Sequence, residues 1–443
     1  MFIKKNNLLS GLQISFYFFP IILICGSLLV NLYSILFILI ASIYLLIDKI
    51  KIQFNFINIS LFLFFLTTIF TSFLNIEIVG QDNFVKSIFL LRFFLLFILI
   101  ETLFFNKKIK LKYFFYACFF TTLFLSIDLC LQFFYGKNIL GFEPWEGRIT
   151  GMFRSEAIAG AYIQKMFIFL LIFFFLITKN LNNKYLPIIL FSLIIIIFGS
   201  LISNNRISFL ILISTLLFVI IFYKTLRIKL FICFLFSMVI FIYFYKNNSQ
   251  INNQYISFKN QITHAFSSEE ERRNKFYESN KEKIKLNPDI VKNFDFKISI
   301  EHIRIYLTSI KSFKENILLG NGLKSFRFKC QKFTDQKNFL CSNHPHNYHL
   351  EILHDTGLVG FFFISFFSIG LIIKSIKHIL SKNTFYEKKI ILSLILLNFL
   401  IEIFPLKSTG SFFTTWNGTI LWFSIALVNY YNYVNYYDEK KLL

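Results

Sequence analysis

The chain has 443 residues, of which 56% are hydrophobic and 20% aromatic, and it carries a formal charge of +22. Apolar runs of about 20 residues recur along it, each long enough to cross a hydrocarbon core of roughly 30 Å, which excludes an ordinary soluble fold. The charge does not indicate nucleic-acid binding, because the lysines sit mainly in short links between apolar runs and not on one soluble face.

We predict an all-α, polytopic membrane protein with about twelve transmembrane helices and one large loop. The predicted helices, in chain order, cover residues 10–30, 31–48, 58–77, 87–105, 113–135, 157–178, 185–202, 206–223, 228–245, 358–377, 388–405 and 412–431. The chain thereby divides into residues 1–245 with helices 1–9, residues 246–356 as the large loop, and residues 357–443 with helices 10–12 and a tail.

The lysines predict the orientation of these helices. Lys-rich links alternate without a break with links that are sparser in Lys, and cytoplasmic links are the ones enriched in Lys and Arg. Both termini are therefore expected in the cytoplasm. The large loop is expected on the opposite side, which is the periplasm if the host is Gram-negative.

Three charged residues, Arg92, Asp128 and Lys165, fall inside predicted spans. Charges in a membrane are costly and usually pair with each other or line a functional path. We expect ion pairs here, with Asp128 bound to either cation, or groups lining a cavity. A translocation path would instead indicate a transporter or flippase.

Two cysteines, Cys330 and Cys341, lie in the large loop with ten residues between them. A disulfide is plausible outside the cytoplasm, and two free thiols are the alternative. The sequence leaves both open.

The segment HPHNYHLEILHDTGLVG, residues 344–360, is called the histidine motif here because it holds four of the seven histidines. On a helix His346 and His349 share a face, whereas His354 points away, and the His-Glu-x-x-His signature of helical zinc sites is absent. We therefore predict no metal site. His344, His349 and His354 are interpreted as local polar contacts or surface residues.

A short helix is predicted within the histidine motif. Asn347 is a suitable N-cap, and Gly357 fits a C-terminal turn that leads into the next span. His346 would then lie at the helix N-terminus, where free N–H groups favour anions.

Arg206, Arg304 and Arg148 are predicted on the same side of the membrane as this motif. The planar guanidinium group binds two phosphate oxygens at once, so a lipid-linked diphosphate is a suitable ligand for such a cluster.

The histidine motif resembles the pattern of O-antigen ligases and the related O-antigen polymerases, in which His-Asn is followed after nine residues by Gly-x-x-Gly. His346, Asn347, Gly357 and Gly360 occupy these positions. Arg206 in SNNRISFL matches the arginine that follows a Ser-rich turn in this family.

Two further motifs extend the resemblance over most of the chain. Arg304 precedes ILLGNG, where Leu318 replaces the usual proline, and Arg148 lies in the loop GRITGMF, which matches R-x-x-G-x-F. Asp355 stands where relatives often carry Glu.

The resemblance implies a GT-C-like, inverting glycosyltransferase that needs no metal or other cofactor. Its donor would be a glycan on undecaprenyl diphosphate, and its acceptor a hydroxyl of a lipid A core sugar or of another glycan. His346 would be the catalytic base or a donor-binding group, with Arg206 and Arg304 on the diphosphate and Arg148 as a further candidate. An O-antigen polymerase and a protein O-oligosaccharyltransferase remain alternatives within the class.

Overall fold

The computed structural model describes residues 5–52, 54–146, 148–180, 185–267, 269–281, 285, 301–333 and 339–433. All named secondary structure in these residues is helical. The first ten helices are α1 (Lys5–Ile24), α2 (Ser27–Ile47), α3 (Phe56–Leu74), α4 (Ile76–Phe89), α5 (Leu91–Phe105), α6 (Leu111–Tyr135), α7 (Ala159–Asn180), α8 (Leu186–Ile202), α9 (Arg206–Phe222) and α10 (Arg227–Asn247). The remaining helices are α11 (Ser249–Phe266), α12 (Glu269–Ser279), α13 (Glu301–Phe313), α14 (Tyr348–Leu380), α15 (Tyr386–Glu402) and α16 (Thr415–Tyr433).

The protein is a multi-pass membrane protein by the composition of its helices. Within the described residues, eight helical segments are long and apolar enough to cross a membrane, with α4 and α5 counted as one segment. Helices α8 and α9 are apolar but shorter. The twelve predicted spans and the periplasmic placement of the large loop therefore stay predictions.

Two predicted boundaries in the first helical pair are wrong. The turn was expected near residue 30, but α1 ends at Ile24 and α2 already begins at Ser27. Gly26, with a φ of 97°, makes this turn, because glycine enters the left-handed region without a steric penalty.

The helices pack as a bundle around one apolar core. Helix α14 lies along α3, α16 along α5, and α6 along both α7 and α8. Phenylalanine rings supply much of the core: the Phe16 ring, for example, lies 5.0 to 5.3 Å from the rings of Phe104, Phe114 and Phe423. Such aromatic contacts add specific geometry to the burial of apolar surface.

The two ends of the bundle differ in their polar groups. At one end Lys5 and Lys108 both contact Asp48, which follows α2. These two ammonium groups hold the Asp48 pKa below its usual range. Helix α6 runs from this end to the other, where α7, α9 and α14 begin and α15 ends; this second end is called the motif end.

Side-chain caps define where several helices begin. Asn55, Asn205, Asn248 and Asn347 each accept a hydrogen bond from a backbone N–H in the first turn of α3, α9, α11 and α14. The predicted N-cap at Asn347 is confirmed, and the Leu350 N–H is its donor, at 3.1 Å.

Between α10 and α14 the described residues form α11, α12 and α13, which have 18, 11 and 13 residues. The charged stretch 269–289 contains α12, and its residues 282–284 and 286–289 lie outside the described residues. Cys330 and Cys341 form a disulfide, with Cα atoms 5.0 Å apart. This bond attaches the segment before the histidine motif to the short helix Phe326–Lys329.

The three charges inside predicted spans do not pair as expected. Asp128 accepts hydrogen bonds from the Ile139 N–H and the Asn138 amide, while Arg92 donates to Thr415. Lys165 pairs with Glu402, so the predicted bond between Asp128 and either cation is wrong. The Asp128 carboxylate is instead bound by the loop that follows its own helix, which supplies N–H donors at short range.

Candidate functional site

His346 lies at the motif end, immediately before the cap of α14, in the left-handed backbone conformation with a φ of 56°. Its Nε2 is hydrogen-bonded to the Ser342 hydroxyl at 3.1 Å. The His344 ring lies 4.1 Å away and the His302 ring, from α13, 5.2 Å away. A non-glycine residue at positive φ is uncommon and is found where the surrounding structure holds it in place.

The environment of the imidazole favours its neutral form. Burial lowers the His346 pKa below 6.5, the neighbouring His302 lowers it further, and interaction with the Thr409 backbone raises it. The His344 pKa is lowered to about 4, again mainly by burial. Both rings are therefore neutral at pH 7, and a neutral imidazole can accept a proton.

The α15–α16 loop, residues 403–414, holds the histidine motif from one side. The Thr409 N–H donates to the His346 carbonyl at 2.9 Å, the Asn347 amide donates to the Pro405 carbonyl at 2.5 Å, and the His349 Nε2 donates to the Ile403 carbonyl at 2.7 Å. Three motif residues thus depend on this loop for their orientation, which the sequence did not predict.

The next turn of α14 is bound by the same loop. Glu351, which is 2% exposed, accepts from the Ser411 hydroxyl at 2.5 Å and from the Phe412 N–H at 2.6 Å. A buried carboxylate with two donors is well satisfied, so Glu351 fixes the far half of the loop to the motif.

Gly357 interrupts α14, with φ 66° and ψ −167°, and residues 317–322 pack against the interruption. Four backbone hydrogen bonds connect the two segments, each 2.9 to 3.2 Å long. They join Asn321 to His354, Gly322 to Asp355, Leu358 to Ile317 and Val359 to Leu318.

Side chains are excluded at the closest approach of these segments. A Cβ on Gly357 would lie 2.2 Å from the Leu318 carbonyl oxygen, and one on Gly320 would lie 2.4 Å from the Gly357 nitrogen. A Cβ on Gly360 would lie 2.2 Å from the Thr356 hydroxyl. The glycines at both motif positions therefore have a packing role.

The histidine and acid that follow in the motif, His354 and Asp355, are fully buried. Asp355 binds the His354 Nδ1 at 2.9 Å through one oxygen and the Lys324 N–H at 2.7 Å through the other. The His354 Nε2 is hydrogen-bonded to Ser312 at 2.9 Å. His354 is a local polar contact and not a surface residue, because residues 312–325 cover it. Asp355 thus joins the His354 ring to the backbone of Lys324.

The arginines form two groups. Arg206 is the first residue of α9 and lies close enough to Arg148 and Tyr255 to interact electrostatically with both. The residues just before it, Ser203 and Asn205, pack against Gly160 at the start of α7, where a Cβ would come within 2.7 Å of each. Arg206 and Arg148 thus lie at the motif end, and their side of the membrane stays a prediction.

Arg304 lies on α13 beside the segment that leads to His346. Its Nη2 donates to the Phe339 carbonyl at 3.4 Å, and Thr308, one turn further, is hydrogen-bonded to Leu340. His302 and Tyr306 lie two residues to either side of Arg304, on a different face of α13, and this face contacts His346 and Asn347. The α13 face of Arg304 contacts residues 339–340, which precede the histidine motif, and the face of His302 contacts the imidazole.

An apolar cavity of about 210 Å³ begins at Tyr348 and His349. It continues between α14, α15 and α16, as far as Ile372 on α14 and Ile425 on α16. From Phe361 to Ile372 it spans about 16 Å along α14, at a rise of about 1.5 Å per residue. The apolar lining of this cavity suits a hydrocarbon chain.

Residues 190–365 match the family model described as O-Antigen ligase. Over this segment the chain is similar to the O-antigen ligase family. The predicted resemblance is thereby confirmed, and the O-antigen ligase match covers α8 to the first half of α14, with Arg206, Arg304, His346, Asn347, Gly357 and Gly360 inside it. No curated protein matches the chain.

Proposed function

We propose that the protein is a membrane glycosyltransferase of the O-antigen ligase type. It transfers a glycan from undecaprenyl diphosphate to a hydroxyl of a lipid A core sugar, with inversion and without a metal ion. The observation that carries this proposal is the His346 imidazole, which lies at positive φ and is hydrogen-bonded to Ser342, with its carbonyl bound by the α15–α16 loop, within the family-matched segment.

In the proposed reaction His346 removes the proton from the acceptor hydroxyl. The hydroxyl oxygen forms a bond to the anomeric carbon of the glycan as the bond from that carbon to the diphosphate oxygen breaks. A positioned base contributes about 10²–10⁴-fold to such a step. The reaction needs His346 unprotonated, which agrees with the lowered pKa of its ring.

The leaving diphosphate gains charge as its bond breaks, so fixed cations near it lower the barrier. We assign this role to Arg206 and Arg304, with Arg148 as a third cation beside Arg206. The apolar cavity at His349 supports a lipid-linked substrate, because it offers hydrocarbon a place beside the motif. The site is proposed on the periplasmic side of the inner membrane, with both termini in the cytoplasm.

The alternatives make different products. A polymerase extends a lipid-linked repeat unit, a protein O-oligosaccharyltransferase glycosylates a peptide hydroxyl, and a transporter or flippase makes no new glycosidic bond. The charges inside the predicted spans do not favour a translocation path, because each has a partner. Lys165 pairs with Glu402, Arg92 donates to Thr415, and Asp128 is bound by the loop that follows its own helix.

The test uses purified protein in detergent with a lipid-linked glycan and each acceptor in turn. Wild-type protein should glycosylate the lipid A core, and His346→Ala should abolish transfer. His378→Ala is the matched control, since His378 lies in the last turn of the same helix, at the opposite end. Transfer by His346→Ala at the wild-type rate would refute the assignment of the base.

A further inference from the structure

Three charged side chains are buried together at the motif end. Lys165 of α7 and Lys407 of the α15–α16 loop both contact the carboxylate of Glu402, the last residue of α15. The Lys407 Nζ lies 3.1 Å from Glu402 Oε1, and Lys165 binds Oε2. The side chains are 5%, 3% and 11% exposed for Lys165, Glu402 and Lys407. This set is called the ion cluster.

The ion cluster fixes the α15–α16 loop to α7. Removing one member of a buried ion pair leaves an uncompensated charge in a medium of low dielectric, so the three groups resist separation. Glu402 is the shared partner, and its two oxygens are divided between the helix and the loop. Lys407 therefore has one defined position relative to α7.

Hydrogen bonds join the α15–α16 loop to the histidine motif on both sides of Lys407. Thr409, two residues after Lys407, donates to the His346 carbonyl at 2.9 Å. On the other side of Lys407, Pro405 accepts from Asn347 at 2.5 Å. The backbone on both sides of Lys407 is thus hydrogen-bonded to His346 and Asn347.

Helix α7 also contacts the residues that precede Arg206. Gly160, at its start, is packed against Ser203 and Asn205, and the next residue is Arg206. Lys165 lies five residues further along α7, which is about 7.5 Å at the helical rise per residue. One rigid helix therefore contacts the segment that precedes Arg206 and, through the ion cluster, the loop that is hydrogen-bonded to His346.

We propose that Lys165, Glu402 and Lys407 are positioning residues, which hold His346 at a set distance from Arg206 through α7 and the α15–α16 loop. This inference rests on the proposed function, since it concerns the alignment of base and diphosphate in that reaction. A displacement of about 1 Å in such an alignment costs roughly 10²-fold in rate.

The experiment changes the loop side of the cluster alone. Lys407→Met leaves the pair between Lys165 and Glu402 in place and removes the link to the loop. We expect kcat to fall by about ten- to hundredfold, with the KM for the lipid-linked donor nearly unchanged. Lys407→Arg keeps the charge and should restore most of the rate.

The matched control is Lys108→Met. Lys108 holds the equivalent position in the cluster of Lys5, Asp48 and Lys108 at the other end of the bundle, 2.9 Å from Asp48. Its removal should leave kcat unchanged. The melting temperatures of the two Met variants, compared with wild type, show whether either protein is merely unfolded.

The outcomes separate this inference from the proposed function. Wild-type kcat in Lys407→Met, or an equal loss in Lys108→Met, overturns the positioning role, and so does a donor KM that rises while kcat is kept. If instead wild-type protein transfers no glycan to any acceptor, the proposed function fails, whatever the variants do.

Discussion

Replacing Gly357 by alanine should destabilise the protein strongly. The residue has φ 66° and ψ −167°, a region that is almost restricted to glycine and costs about 1–3 kcal/mol for other residues. The new Cβ would lie 2.2 Å from the Leu318 carbonyl oxygen, so residues 317–322 must move away.

That movement breaks the hydrogen bonds from Leu358 to Ile317 and from Val359 to Leu318, each of which contributes about 1 kcal/mol. Together with the backbone strain, the free energy of unfolding should fall by about 3–5 kcal/mol. Glycosyl transfer should fall as well, because the same helix carries the histidine motif.

The assay is the melting temperature of the detergent-solubilised protein, measured with the control Gly370→Ala. Gly370 lies in the same helix, and an added Cβ there meets Ile57 at 3.5 Å, which is ordinary contact. Alanine is the better helix former by about 1 kcal/mol, so the control should be neutral or slightly stabilised. Equal melting temperatures for the two variants would refute the reasoning.

Further predictions concern the chemistry of the site. Because burial, aided by His302, lowers the His346 pKa, transfer should be constant through neutral pH and decline only as the pH falls below about 6.5; a decline that begins at higher pH contradicts this. The stability that the neutral ring contributes is complete above about 6.5 and is lost as the pH falls through the lowered pKa of the folded state, which thermal melting at several pH values should show. Arg206→Lys should reduce transfer by about ten- to hundredfold, since a point charge does not replace a planar fork, and a normal rate would exclude bidentate binding. Reducing the disulfide between Cys330 and Cys341 should lower stability by about 2–4 kcal/mol, with the double Ser variant insensitive to reductant. A chelator such as EDTA should leave the rate unchanged; inhibition that a divalent ion restores would indicate a metal site.

Local patterns in the sequence predicted the helices and their caps. Asn347 caps α14 and Gly357 makes the turn, because each effect depends on a few neighbouring residues. The predicted spans 388–405 and 412–431 correspond to Tyr386–Glu402 and Thr415–Tyr433. Helix ends shifted by a few residues, which left the α15–α16 loop longer than expected.

Contacts between distant residues could not be predicted in this way. Lys165 and Glu402 are separated by 237 positions, and nothing near either residue indicates the other. Asp128 seemed a suitable partner for Lys165 only because both lie in early spans, whereas loop N–H groups satisfy it locally. The sequence also left open whether His354 is a polar contact or a surface residue, because its partner Ser312 lies 42 residues away.

The backbone pairing between residues 317–322 and 354–359 has a consequence for biogenesis. During synthesis the first of these segments is made before the second, so its Ile317 and Leu318 carbonyls and its Asn321 and Gly322 N–H groups wait for partners on the nascent chain. These hydrogen bonds form only when residues 354–359 of α14 have been synthesised. Insertion of that late helix therefore closes the large loop, and a chain stalled before residue 354 would lack all four hydrogen bonds.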